Sequence, residues 1–418
     1  MRDLLKGSII LASSNLLVRV AGHIYRILMG RMLTPYEFGL LNLALPLQYL
    51  ILVLTSAGVA PSVAKFVAEQ EAKGDFKRRD SIISSSLVFF TLLGFLLGFL
   101  FYALASPIGV YVFHDLNVIL PLKVSSIALG FGFLVAAYTG VFQGYKRMDY
   151  MGLTLVLEQV LRIVFAFALV YSGFSVIGAI WGSTLGFVVA VPIAYLLFKR
   201  IGQRFSNCSI RDFEEVFRFS LPVSATALAG FTLAYADVLL LGVYLTPEEV
   251  GIYSAASPTS RLILAFTTAI YATLLPSISE LKAKKKVGEI KRYIVYAYKM
   301  AFAVLLPVVA FSILFSSTII SLLFGSAYIM ASASFKVLIV GAAFFGIFMV
   351  NSGIFQGLGK PVVPLRILAF AAVFDIFLNI MLIPRYQILG AAYATSISFV
   401  FAGITSTLIL RATLWKYI

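Results

Sequence analysis

Two arginines seven residues apart in an otherwise apolar stretch, Arg19 and Arg26, are the residues of this chain best placed to do chemistry. At about 100° per residue of helix they fall about 20° apart, with Asn15, Gly22, His23 and Gly30 on the same narrow stripe. An arginine deep in a membrane helix costs at least ~2.5 kcal/mol on insertion scales, so the stripe is expected to face a protein interior or a wet cavity. The guanidinium is a planar fork that meets phosphate oxygens two at a time, which makes a phosphate or pyrophosphate headgroup its natural ligand. Other charges inside predicted apolar spans include Glu158 and Arg162 in the first half of the chain, and Asp237, Arg261 and Asp375 in the second. Counted over these seven residues alone, three arginines against one glutamate give +2 in the first half, and one arginine against two aspartates gives −1 in the second. Arg19, His23, Arg26, Glu158, Arg162 and Arg261 are therefore the candidate substrate-binding residues, and Asp237 and Asp375 the candidates for ion coupling or gating. Each has a plainer alternative. Glu158 and Arg162 stand four apart and can neutralise each other. Arg26 and Arg261 lie near predicted helix ends and can snorkel, His23 can be a packed polar residue, and the aspartates can cap helices or pair with Arg261.

The elements that position these side chains follow from composition. With 61% hydrophobic and 12% charged residues over 418 positions, the chain is far from a soluble globular protein, which carries about a quarter charged residues. Apolar runs of about 20 residues between short polar turns mean helices rather than a membrane barrel, so the expected fold class is all-α integral membrane. Twelve spans are predicted near 8–30, 39–64, 82–104, 119–143, 152–172, 175–198, 217–242, 251–275, 294–314, 334–357, 363–384 and 389–411. The N-terminal run leads straight into the first span without a small-residue cleavage site and reads as retained. Connectors after even-numbered spans hold the positive charge, among them Lys77, Arg78, Arg79, Lys146, Arg147, Lys199, Arg200, Arg204, Lys284, Lys285 and Lys286. Opposite connectors carry only Arg31, Lys123, Lys336 and Arg385, so both termini are expected on the cytoplasmic side. The net charge of +15 is thus mainly a topology signal with some attraction to anionic lipids, and it gives no reason to invoke nucleic acid. A single cysteine, Cys208, excludes an internal disulfide framework; two histidines without cysteine partners imply no metal site, and no cofactor is implied.

The chain repeats itself. Leu33-Thr34-Pro35 with Glu37, Gly39 and Pro46 returns 212 residues later as Leu245-Thr246-Pro247 with Glu249, Gly251 and Pro258. Gly140-Val141-Phe142-Gln143-Gly144 returns as Gly353-Ile354-Phe355-Gln356-Gly357, offset 213, and Ile177-Gly178-Ala179 as Leu389-Gly390-Ala391, offset 212. Six spans per half is an even number, so the halves share one orientation, as in transporters whose lobes are related by an axis along the membrane normal. The expected organisation is a six-helix lobe over 1–209 and another over 210–418, with Ile210 to Ser220 as an amphipathic interfacial linker. Pro46 and Pro258, inside spans, are expected to kink them.

Together, Thr-Pro-x-Glu-x-Gly after the first and seventh spans, Ala236-Asp237-Val238-Leu239-Leu240-Leu241-Gly242, and Leu378-Asn379-Ile380-Met381-Leu382-Ile383-Pro384 followed by Gly390-Ala391-Ala392-Tyr393-Ala394-Thr395 resemble the Wzx-type polysaccharide flippases. These belong to the superfamily that also holds the multidrug and toxic-compound extrusion transporters and the murein-precursor flippases. The first helix, Arg19-Val20-Ala21-Gly22-His23-Ile24-Tyr25-Arg26, is especially similar to the murein-precursor and sporulation branch, where matching arginines face a central cavity. The resemblance implies two six-helix lobes that move a polyprenyl-phosphate- or pyrophosphate-linked oligosaccharide across the cytoplasmic membrane by alternating access, with membrane lipids and the glycosyltransferases or polymerase of the same pathway as partners. Murein-precursor flippases carry two further C-terminal helices that form a lipid groove; here the chain is expected to stop after twelve. Enzymatic readings fit poorly, because no connector exceeds about twenty residues and no glycine-rich phosphate loop is present. The alternative is a cation-coupled multidrug antiporter on the same fold, which would favour carboxylates where the first helix offers Arg19 and Arg26.

Overall fold

The computed structural model describes residues 2–202, 205–284 and 286–415; Arg204 and Lys285, two of the charges used to read topology, lie outside these. Among the described residues the chain is helical almost throughout, with α1 (Arg2–Met32), α2 (Pro35–Ser56), α3 (Val59–Lys73), α4 (Phe76–Pro107), α5 (Ile119–Gly144), α6 (Met148–Leu169) and α7 (Ser175–Arg200), then α8 (Ile210–Tyr244), α9 (Pro247–Ser260), α10 (Leu264–Ala283), α11 (Val287–Leu314), α12 (Ser316–Phe324), α13 (Ala331–Gly357) and α14 (Val362–Trp415). Among the described residues, eight helical stretches are long and apolar enough to cross a membrane, or nine when the limbs of α8, Ile210–Ala225 and Gly230–Tyr244, bent by 64°, are taken as one span. This is a multi-pass, all-helical membrane protein. Short α12 falls where the sequence reading placed only a connector.

The repeated Thr-Pro-x-Glu motif turns out to be a local folding signal. Thr34 and Thr246 are N-caps of α2 and α9, with Pro35 and Pro247 at the first helical position. Each is closed by a reciprocal capping box: Thr34 N donates to Glu37 Oε2 at 2.9 Å and Glu37 N to Thr34 Oγ1 at 3.3 Å, while the corresponding bonds of Thr246 and Glu249 measure 3.0 and 3.4 Å. Two orphan amide donors are satisfied in each box, and proline takes a first-turn position whose N–H would have no intrahelical acceptor. Pro258 acts near the other end of α9, which ends two residues later at Ser260 and passes into a 3-10 turn at Arg261–Ile263. Helix α2 runs on for ten residues beyond Pro46 before ending at Ser56.

Two long helical stretches are hairpins. Met148–Arg200 and Val362–Thr413 contain 53 and 52 residues, about 80 Å of helix against a hydrocarbon core of about 30 Å. The first folds back at Gly173, φ 92°, and Ser175, φ 48°; the second at Gln387, φ 54°. In the first, a Cβ on Gly182 would stand 2.3 Å from the backbone nitrogen of Ala166, and one on Gly186 3.0 Å from the carbonyl of Glu158, an antiparallel register that only glycine permits at this distance. In the second, Phe370 and Phe374 meet Phe401 with ring centroids 5.2 and 5.6 Å apart.

The chain divides into two compact units, Met1–Phe231 and Thr232–Ile418. The segment from Ile210 to Ser220 is the first limb of α8 and packs on the first unit. Phe213 sits 5.1 and 5.0 Å from the rings of Phe89 and Phe90, and Phe66 meets Phe219 edge-on at 5.9 Å. Arg78 pairs with Glu215 at 2.7 Å and with Asp212 at 3.6 Å, and Ser81 donates to Asp212 at 2.5 Å. Where the limb crosses the break between α2 and α3, a Cβ on Gly58 would lie 2.0 Å from the Ser220 carbonyl, and Gly58 N donates to Ser224 Oγ at 2.9 Å.

Candidate functional site

In the first unit α1 lies along α6 in the same direction: Gly7 neighbours Met148, Ser14 neighbours Gly152, and Gly22 neighbours Gln159. This gives α1 three edges. Ser14, Tyr25 and Met29 are buried, Tyr25 donating to the Ala179 carbonyl at 3.2 Å. Leu17, Val20 and Ile24 form an exposed apolar edge suited to lipid. Between these edges lie exposed Arg19 and half-buried His23 and Arg26, as the helical spacing requires.

Glu158 and Arg162 do not join that stripe. Both are buried, and Arg162 Nη2 donates to Glu158 Oε1 at 2.9 Å. Its Nη1 donates to the Tyr49 hydroxyl, and the guanidinium stacks near Tyr49 and Phe187, 5.6 and 5.7 Å from the ring centroids. The four-residue spacing thus produces an intrahelical ion pair, with Gly186 opposite leaving room for the Arg162 side chain. Removing one partner would strand a buried charge. Glu158→Ala is accordingly expected to lower stability by about 3–5 kcal/mol, read as a fall in thermal midpoint in detergent, whereas exposed Glu69→Ala, which removes a solvent-screened i,i+4 pair with Lys73, should leave the midpoint near that of the parent. Equal midpoints would refute the buried pair.

The second unit gathers Asp237, Arg261 and Asp375 into one polar cluster. Asp237 is 1% exposed. Its Oδ1 accepts from Val238 N at 2.8 Å, while Oδ2 accepts from the Tyr253 hydroxyl at 2.7 Å, from Ser257 Oγ at 3.2 Å and from Arg261 Nη2 at 3.2 Å. Arg261 is held more firmly by the Ala234 carbonyl, which accepts from Nη1 at 2.6 Å, and lies 5.9 Å from the Phe399 ring. Asp375, also 1% exposed, is within electrostatic reach of both Asp237 and Arg261, beside the hydroxyls of Thr395 and Ser398. Among the described residues, Asp375 Oδ1, Asn379 Oδ1, Thr395 Oγ1 and Ser398 Oγ have no hydrogen-bond partner. This buried group sets two carboxylates against one guanidinium and is short of positive charge, with the Thr395 and Ser398 hydroxyls beside Asp375 as its nearby uncharged donors. Tyr253, Ser257 and Ser398 were not singled out from the sequence, and Asn379 and Thr395 entered only as parts of longer motifs, though Tyr253, Ser257 and Arg261 repeat at intervals of four, and so do Asp375 and Asn379.

The family model for polysaccharide biosynthesis proteins matches residues 4–282, and that for MatE matches 222–381. The chain is 23% identical to the lipid II flippase MurJ of Bacillus subtilis over 95% of its own length and 80% of that protein. It is also 23% identical to the probable low-salt glycan biosynthesis flippase Agl15 of Haloferax volcanii, over 62% of this chain and 54% of that one. Among solved structures, an inward-facing multidrug resistance MATE family transporter of the MOP superfamily aligns over 98% of both chains with a TM-score of 0.81 at 19% identity, a likeness of fold.

Proposed function

The chain belongs to the polysaccharide biosynthesis protein family, and from that premise we propose that it is a flippase carrying a lipid-linked oligosaccharide across the cytoplasmic membrane by alternating access. The observation that carries this reading is the middle edge of α1: Arg19, with His23 and Arg26, stands between an edge packed on α6 and an edge fit for lipid, on a face that apolar packing leaves open. A polyprenyl phosphate or pyrophosphate brings the anion such a face would hold, its tail can stay in the bilayer, and only the hydrated sugar and phosphate need shelter. The chain's work on this reading is transport and not catalysis. The relatives support it, one being a lipid II flippase and the other a probable glycan biosynthesis flippase.

The same reading takes the architecture as twelve spans in two six-helix lobes, 1–209 and 210–418. Of the eight apolar stretches two are hairpins that cross twice, the bent α8 adds another crossing, and α1, interrupted by its arginines, supplies the twelfth. Both termini would then be cytoplasmic. In a protein whose exposed Cys208 is replaced by serine, Lys77→Cys should react with an impermeant maleimide only from the cytoplasmic face and Glu248→Cys only from outside; the reverse pattern would invert the topology.

Asp237 and Asp375 are the coupling or gating pair on this reading, with a small cation meeting the unsatisfied oxygens around them. A multidrug antiporter on the same fold remains the competing function, favoured by the likeness to a MATE transporter. The deciding experiment is reconstitution in proteoliposomes with a polyprenyl-linked oligosaccharide, an uncharged sugar lipid and a cationic dye. Translocation of the phosphate-linked sugar in preference to the other two supports the flippase; efflux of the dye alone would replace it with the antiporter.

A further inference from the structure

Gly152 and Gln159 stand seven apart on α6 and so share one face, the face turned to α1: a Cβ on Gly152 would lie 2.2 Å from Ser14 Oγ, and one on Gly22 3.9 Å from Gln159 Nε2. The two glycines differ in what they allow. A side chain at Gly152 would collide with Ser14, whereas 3.9 Å is ordinary contact, and alanine, the better helix former, would fit at Gly22. Close packing therefore does not call for glycine at Gly22. What its bare backbone does is leave a gap beside Gln159, a carboxamide only 6% exposed inside an apolar span, where a polar group costs free energy until it is paired. Half-buried Gly22 lies on the border between the edge of α1 packed on α6 and the stripe of Arg19 and Arg26. It comes three residues after the one and four before the other, about 5 and 6 Å along the axis.

A guanidinium has five N–H donors and no acceptor, so the arginines can hold a phosphate but leave the hydroxyl protons of a sugar beside it without an acceptor. A carboxamide carries two N–H donors and a carbonyl oxygen. We propose that Gln159 is a specificity-determining residue of the α1 stripe: through the gap at Gly22 its Nε2 donates to a phosphate oxygen of the substrate and its Oε1 accepts from a hydroxyl of the first sugar, so that the stripe reads the first sugar together with the charge. The inference rests on the flippase reading and deepens it, and every residue it uses lies in the first unit. An alkyl phosphodiester of equal charge engages Gln159 by one end of the carboxamide only. The lipid whose phosphate is esterified to a sugar engages both ends and is bound in preference, without any contact to the remoter sugars.

The full-length protein in detergent is titrated by calorimetry with two farnesyl phosphodiesters of the same single charge, one esterified to glucose and the other to methanol. The parent should bind the glucosyl diester about 2- to 12-fold more tightly, the yield of one further hydrogen bond between uncharged groups. Gln159→Leu should weaken the methyl diester by about 10- to 150-fold, through the lost donor to phosphate, and abolish the preference for glucose. Gly22→Ala, whose methyl covers the carboxamide, should act in the same direction while its thermal midpoint equals or exceeds the parent's, since alanine favours the helix. That midpoint separates lost contact from lost folding, so Gly22→Ala tests the assignment even where Gln159→Leu fails to fold. A parental preference for glucose in either variant would overturn the assignment. A parent that binds the two diesters alike also overturns it and spares the flippase reading, whereas a parent that binds neither sinks both.

Discussion

Arg19→Glu in proteoliposomes is expected to move no lipid-linked oligosaccharide. The substitution puts a second anion where the substrate phosphate has to sit, on the open edge of α1. A charge-assisted arginine contact sheltered from water contributes about 1.5 to 3 kcal/mol, so its loss alone costs roughly 10- to 150-fold in affinity, and reversal adds repulsion to the loss. Arg19→Ala should retain a small residue of transport and Arg19→Lys more, since lysine keeps the charge but not the planar fork. Because Arg19 is exposed, none of the three should disturb folding, and thermal midpoints near that of the parent would establish this. Translocation by Arg19→Glu at the parental rate would remove α1 from the binding site.

Equally large is the expected effect of neutralising the acidic corner of the second unit. Asp237→Asn and Asp375→Asn should each abolish the dependence of transport on an imposed Na⁺ or pH gradient, leaving only downhill equilibration of the lipid. The physical ground is that both carboxylates are buried with one arginine to balance them, and that Asn379 Oδ1 close by has no hydrogen-bond partner among the described residues. Removing one negative charge lets Arg261 balance the other, and nothing is left for an external cation to compensate. Transport is followed with and without the gradient, alongside expression level and thermal midpoint. If both variants keep normal gradient dependence, the corner is structural.

How much of this was legible in the sequence depends on whether the contact is local. The Arg19, His23 and Arg26 stripe needs only the helical period, and the Glu158–Arg162 pair only a spacing of four. The turn at Gly173 could be placed from a glycine between two apolar runs, whereas Gln387, a non-glycine at φ 54°, carries no such mark, and the hairpin there is visible only through the length of its limbs. Tyr49 reaching Arg162 across 113 residues, and Thr395 and Ser398 standing beside Asp375, are tertiary facts without local pattern. For Tyr253 and Ser257 the pattern existed, a polar interval of four on α9 leading to Arg261, but it was masked by the small residues around it. The Thr-Pro-x-Glu repeat was visible as a motif, and its meaning as a capping box follows from proline at the first helical position with glutamate two places on.

The first limb of α8 bears on how the protein is made. Its Phe213 and Phe217 cover Phe89 and Phe90, Asp212 and Glu215 engage Arg78, and Ser220 and Ser224 close over Gly58, all within the first unit. Synthesis runs from the N-terminus, so the first six predicted spans leave the ribosome before the segment that seals their surface. Until residues 210–231 emerge, a patch of phenylalanines and a lone glycine notch are bare, and a nascent chain stalled near residue 209 would present them to whatever insertase or chaperone attends it.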